Sequence, residues 1–163
     1  LLDMTGLQTV ERSDTISLAA LTEEVFCDLD PVADKHQIRL IQTEGDCTVT
    51  GSYILLYRAV YNLVENAIKY NRPSGSVTVG IHSAETAVLE VTDTGIGISP
   101  ENQEKIFDPF YRVDKSRSRA MGGAGLGLAL VSEIARQHNG QVKVTQSSKK
   151  GSTIALILPV TIL

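Results

Sequence analysis

Apolar residues recur at helical spacing over residues 18–35, at Leu18, Leu21, Val25, Leu29 and Val32. Pro31 falls inside that run and is expected to kink the helix or end it. Residues 37–43 alternate around Ile38, Leu40 and Gln42 as a short strand, and after Gly45-Asp46 residues 47–50 form another. Residues 52–70 carry a long helical pattern, with Leu56, Val60, Leu63 and Ala67 on one face, until Pro73-Ser74-Gly75 breaks it. Period-two alternation over 77–81 and 87–93 predicts an antiparallel hairpin. Ser99-Pro100-Glu101 reads as an N-cap and first-turn proline opening a short helix. Residues 125–138 are helical, with Gly140 as the stop, and 141–146 with 153–158 form a last hairpin. Hairpins outnumber strand–helix–strand units. The expectation is an α+β two-layer sandwich: a mixed, mostly antiparallel sheet packed against three helices.

The chain has 163 residues, enough for one domain with a real core. Residues 1–10 open on an apolar pair and read as the tail of a preceding helix, leaving 11–163 as the domain proper. The net charge of −4 gives no reason to expect nucleic-acid binding. No apolar run approaches the length of a membrane span. Cys27 and Cys47 match no metal spacing and read as reduced structural thiols.

Candidate chemistry concentrates in residues 93–127 and in the helix over 52–70. Parity puts Asp93 on the same strand face as Leu89 and Val91, where a carboxylate needs hydrogen-bond partners. Either the N–H groups of the following glycine turn supply them, or the acid accepts a bond from the exocyclic amine of adenine. Gly95 and Gly97 favour the second reading, because they let backbone pass close to a flat base. On the helix, Asn62, Asn66, Lys69 and Tyr70 share one side. An Asn carbonyl suits Mg²⁺, which takes few protein ligands beside phosphate oxygens, and Lys69 would neutralise phosphate. Glu65 is either an i,i+4 ion-pair partner of Lys69 or a catalytic base.

Gly123, Gly125 and Gly127 lead into a helix N-terminus, a setting that suits phosphates. No P-loop string and no dinucleotide-binding glycine spacing occurs. Arg112, Lys115, Arg117 and Arg119 give residues 107–124 a local basic excess. A solvated loop is the plain reading of a charge run. Its position between two nucleotide-contacting segments favours a cationic lid, about 106–124. Phe107 and Phe110 would anchor that lid, or dock a partner helix. His138, near a helix end, reads as complement to the helix dipole.

These strings resemble the signature boxes of sensor histidine kinases. Asn62-Leu-Val-Glu-Asn-Ala-Ile-Lys-Tyr70 is similar to the N box and Asp93-Thr-Gly-Ile-Gly97 to the G1 box. Phe107-Asp-Pro-Phe-Tyr-Arg112 is similar to the F box and Gly123-Ala-Gly-Leu-Gly127 to the G2 box. They occur in family order over roughly residues 11–160. The resemblance implies the Bergerat ATP-binding fold and a domain that transfers the γ-phosphoryl of Mg-ATP to a histidine. By matching position, Asn66 would ligate Mg²⁺, Asn62 and Lys69 would serve the phosphates, and Tyr70 would stack near adenine. Asp93 would bind the adenine amine, with Gly95, Gly97 and Ile98 around the base. Gly123, Gly125, Leu126 and Gly127 would shape the phosphate turn, and Arg112 would approach the triphosphate.

The family's phosphoacceptor histidine is missing from these residues. The resemblance therefore implies a monomeric, cytoplasmic catalytic domain whose acceptor lies on a separate dimerisation domain of a membrane-anchored parent. A response regulator would be reached through that domain. The alternative is a Bergerat-fold ATPase or an anti-sigma-type serine kinase.

Overall fold

The computed structural model describes residues 14–109 and 127–160. Within them run β1 (Asp14–Ser17), α1 (Leu18–Lys35), β2 (Arg39–Gln42), β3 (Thr48–Gly51) and α2 (Tyr53–Lys69). Next come β4 (Ser76–Ser83), β5 (Thr86–Asp93), and two 3-10 turns at Pro100–Asn102 and Lys105–Phe107. The chain closes with α3 (Gly127–Gln137), β6 (Gln141–Ser148) and β7 (Gly151–Pro159). Residues 1–10, Phe110, Arg112, Gly123, Gly125, Leu126 and most of the expected lid lie outside the described residues.

The main sheet has the order β2-β4-β5-β7-β6, and all its pairs are antiparallel except β2 with β4. Alternate residues of each strand form its buried rows: Val77, Val79 and Ile81, then Leu89 and Val91, then Ile154, Leu156 and Leu158. The helices cover this face, with α2 between α1 and α3. The stripe Leu56, Val60, Leu63 and Ala67 is buried as expected, joined by Val64 and Ile68. The sandwich of a mixed, mostly antiparallel sheet and three helices is therefore observed.

Several local expectations are corrected. Helix α1 runs unbroken to Lys35 with Pro31 inside it. Burying Leu29 contributes about 1.5–3 kcal/mol, close to the ~3 kcal/mol that an interior proline costs. Cys27, whose carbonyl loses its partner, is exposed, so water can take that place. The short strands β2 and β3, whose partners the sequence left open, lie in different sheets. β3 pairs with β1 in a separate two-stranded sheet, while β2 joins β4 in parallel. Ser99 takes the N-cap position with Pro100 following, as expected. The element is a 3-10 turn, however, and the Ser99 side chain makes no cap bond, its Oγ accepting instead from Asn102 Nδ2 at 2.7 Å. The chain leaves α3 through Asn139, at φ +59°, one residue before the expected glycine.

His138 does more than complement a dipole. It is buried, its Nε2 accepts the Ser52 N–H at 3.0 Å, and its Nδ1 lies 2.8 Å from the Ile134 carbonyl. Accepting at Nε2 requires a neutral ring, with the proton on Nδ1 donated to Ile134. The side chain thus ties the end of α3 to Ser52, the N-cap of α2, whose Oγ accepts from the Leu55 N–H. Replacing His138 with Phe keeps a ring but orphans the Ser52 N–H. The expected loss is about 1–3 kcal/mol of stability in urea unfolding. An unchanged midpoint would show that the link carries nothing.

Candidate functional site

The polar stripe of α2 stands as expected. Asn62, Asn66, Lys69 and the C-cap Tyr70 recur at offsets of three and four and are half-buried, as is Glu65 beside them. Asn62 Nδ2 donates to the Gly127 carbonyl at 3.3 Å, which brings the first residue of α3 beside the stripe. Lys69 Nζ lies 3.8 Å from Glu65 Oε1, so the i,i+4 pair is made. At that spacing and exposure such a pair contributes only about 0.3–0.5 kcal/mol, too little to be the reason for either residue. Tyr70 is half-buried and closes the helix, its N–H bonded to the Asn66 carbonyl.

Asp93 ends β5, in register with Val77 of β4 and Ser152 of β7. Its Oδ1 accepts the Gly95 N–H at 2.8 Å and the Ser152 N–H at 3.3 Å. Its Oδ2 accepts the Ser152 hydroxyl at 3.0 Å. Burial pushes this carboxyl above the usual range, and it outweighs the downward pull of the Gly95 and Ser152 donors. The turn donors foreseen from the sequence are present through Gly95. The β7 donors from Ser152 were missed, because they come from the β5–β7 pairing, which joins two separate hairpins.

The glycines of the turn have a further reason to be glycine. A Cβ on Gly95 would lie 2.4 Å from the Tyr70 carbonyl oxygen. Gly97 has φ +78°, and a Cβ there would lie 2.0 Å from the Ser148 carbonyl oxygen. Both positions are closed to side chains by the protein's own backbone. The following Ile98 N–H donates to Ser147 Oγ at 2.6 Å, so the turn is also pinned to β6. The Ile98 side chain and Phe107 both pack against the core, the latter as expected for an anchor.

An open cavity of about 390 Å³ beside Asp93 is lined by the end of β5 and the β6–β7 hairpin, with Thr92, Ser148, Lys150 and Ser152 among its residues and none from α2. Tyr70 and Gly95 connect the two halves of the site, the α2 stripe and the Asp93 turn. For a metal, the available donors are the amide oxygens of Asn66 and Asn62 and the Glu65 carboxylate, all hard oxygens on one helix face. Such a set fits Mg²⁺, which keeps most of its shell for water and phosphate. No cluster of His, Cys, Asp and Glu able to hold a metal unaided occurs among the described residues.

Residues 51–162 match the family model described as histidine kinase-, DNA gyrase B-, and HSP90-like ATPase. The sensor-like histidine kinase SenX3 of Mycobacterium tuberculosis is 39% identical over 165 residues, covering 98% of this chain and 40% of that protein. The sensor histidine kinase RppB of Synechocystis sp. is 44% identical over 141 residues, covering 86% of this chain and 31% of that protein. The chain thus spans less than half the length of these curated relatives. Among solved structures, the mycobacterial sensor histidine kinase MprB superposes with TM-score 0.76 at 27% identity, over 93% of this chain and 99% of that one. Full-length ShkA in complex with AMPPNP shares the fold, with TM-score 0.83 at 23% identity over 98% of this chain and 34% of that one. With its four sequence boxes, its sandwich and its Asp93 turn, the chain belongs to the histidine kinase-, DNA gyrase B-, and HSP90-like ATPase family, among the sensor histidine kinases.

Proposed function

We propose that this domain binds Mg-ATP between Asp93 and the α2 stripe and transfers its γ-phosphoryl to a histidine on a separate domain. The observation that carries this reading is the state of Asp93. Three donors from the described residues reach its carboxylate, which has about four acceptor positions. The remaining position on Oδ2 suits the exocyclic amine of adenine, and Tyr70, Gly95, Gly97 and Ile98 would border the base. Asn66 would ligate Mg²⁺, with Asn62 and Lys69 on the phosphates. A Mg²⁺ held there would offset the negative charge of the phosphates. Glu65, adjacent to Asn66 and already paired with Lys69, is the candidate base for the incoming imidazole. Gly123, Gly125, Leu126 and Gly127 would form the phosphate turn, with Arg112 directed at the triphosphate.

The site offers positioning and charge stabilisation, and the nucleophile comes from outside. The partners implied are a histidine-bearing dimerisation domain and a response regulator acting through it. The domain itself is then a cytoplasmic monomer of a membrane-anchored parent. No helix among the described residues is long and apolar enough to cross a membrane.

Asp93→Asn and Asn66→Ala should each weaken Mg-ATP binding by about 10–100-fold in titration calorimetry, the loss of one charge-assisted contact. Unchanged affinity in both variants would refute the site. Acid should act through Asp93 in the same direction. Its raised pKa means that the accepting carboxylate is lost, as pH falls, earlier than for an ordinary aspartate. Affinity for Mg-ATP should therefore drop on acidification through that range, and the drop should be absent in Asp93→Asn. With γ-labelled ATP the chain alone should take up no label, whereas an added histidine dimerisation domain should acquire acid-labile label. Steady hydrolysis without transfer, or label on serine, would favour the ATPase or serine-kinase alternative.

A further inference from the structure

We propose that Asn71 is a positioning residue for nucleotide binding, holding the Asp93 turn at a fixed distance from the phosphate- and metal-facing side chains of α2. The proposal rests on the nucleotide reading above. Asn71 follows the last turn of α2 and is buried, at 7% exposure. A polar side chain so placed must satisfy its amide, and this one uses two of its three bonds to join segments. Nδ2 donates to the Ser76 carbonyl at 2.8 Å, at the start of β4. Oδ1 accepts the Arg72 N–H at 2.8 Å and the Thr94 hydroxyl at 2.9 Å.

Thr94 closes the loop, because its Oγ1 also accepts the Ser76 N–H at 2.9 Å. The end of α2, the start of β4 and the turn after β5 therefore meet on one amide. Thr94 lies between Asp93 and Gly95, and the Gly95 N–H is itself the shorter of the two bonds to Asp93 Oδ1. Moving Thr94 moves that donor and with it the carboxylate. On the other side, Asn66, Lys69 and Tyr70 belong to the helix end that Asn71 continues. A ligand that spans the Asp93 turn and the phosphate-facing Asn66 and Lys69 gains affinity from their fixed spacing, whereas adenosine, which reaches α2 only at Tyr70 beside the turn, does not.

That difference separates positioning from mere structural support. In this chain, Asn71→Ala should raise the Kd of Mg-ATP about tenfold while leaving the Kd of adenosine within about twofold. Thr94→Val, which removes the hydroxyl from the exposed side of the same network, should give the same split and guards against an Asn71 variant that fails to fold. The losses in the double variant should fall short of their sum, because both substitutions break one link. Equal weakening of both ligands, or Mg-ATP affinity unchanged in both variants, would overturn the proposal. If Asp93→Asn weakens Mg-ATP binding and these variants do not, the positioning role alone fails. If the unsubstituted chain binds no Mg-ATP, the nucleotide reading fails and this proposal with it.

Discussion

A half-buried carboxylate at the end of a sheet strand is the constraint on which the rest of the site depends. Leaving such a group without donors costs several kcal/mol, so the fold must aim donors at Asp93. It does so from two directions, the turn just after the strand and the neighbouring strand β7. Supplying every acceptor position would make the group purely structural. Among the described residues three donors are supplied, from a turn and a strand that hold the carboxylate in a fixed geometry.

The sheet topology explains why that acceptor faces the polar end of α2. β2 and β4 are parallel, so the chain between them must cross over, and α2 is the crossover helix. Such a helix runs back against the strands and delivers its C-terminus to the beginning of the next one. β4 in turn is antiparallel to β5, which places its beginning beside the end of β5. Lys69 and Tyr70 at one end of a helix and Asp93 at one end of a strand are brought together by two pairing directions. The contact between Gly95 and the Tyr70 carbonyl is where this geometry closes.

Much of this was legible in the sequence because it is periodic. The α2 stripe, the two long hairpins and the inward parity of Asp93 follow from periods of 3.6 and 2 alone. What was missed depends on partners far apart in the chain. The first residues of the described domain pair with β3, and nothing in Asp14–Ser17 announces it. Pro31 survives inside α1 because Leu29 and Ala33 are buried by tertiary packing, which a local rule cannot weigh. His138 is neutral because its Nε2 faces a backbone N–H from residue 52, a fact of the fold and not of its own helix. Asn71 and Ser152 look like ordinary loop and strand residues until their registers are known.

The glycine turn shows how far a motif can speak for function. From the sequence, Gly95 and Gly97 make room for a base, yet the fold requires both glycines without one. The Tyr70 and Ser148 carbonyls already occupy the space a side chain would need. The Asp-x-Gly-x-Gly spacing is thus a condition for closing the turn onto α2 and β6, whatever is bound. The residues that carry information about a ligand are those the fold does not need. The Gly95 and Ser152 donors need an acceptor, but a neutral amide or hydroxyl would serve them without a charge to desolvate. A carboxylate kept there against its desolvation, in reach of a helix end bearing Asn66 and Lys69, is the part of the motif that points beyond the protein itself.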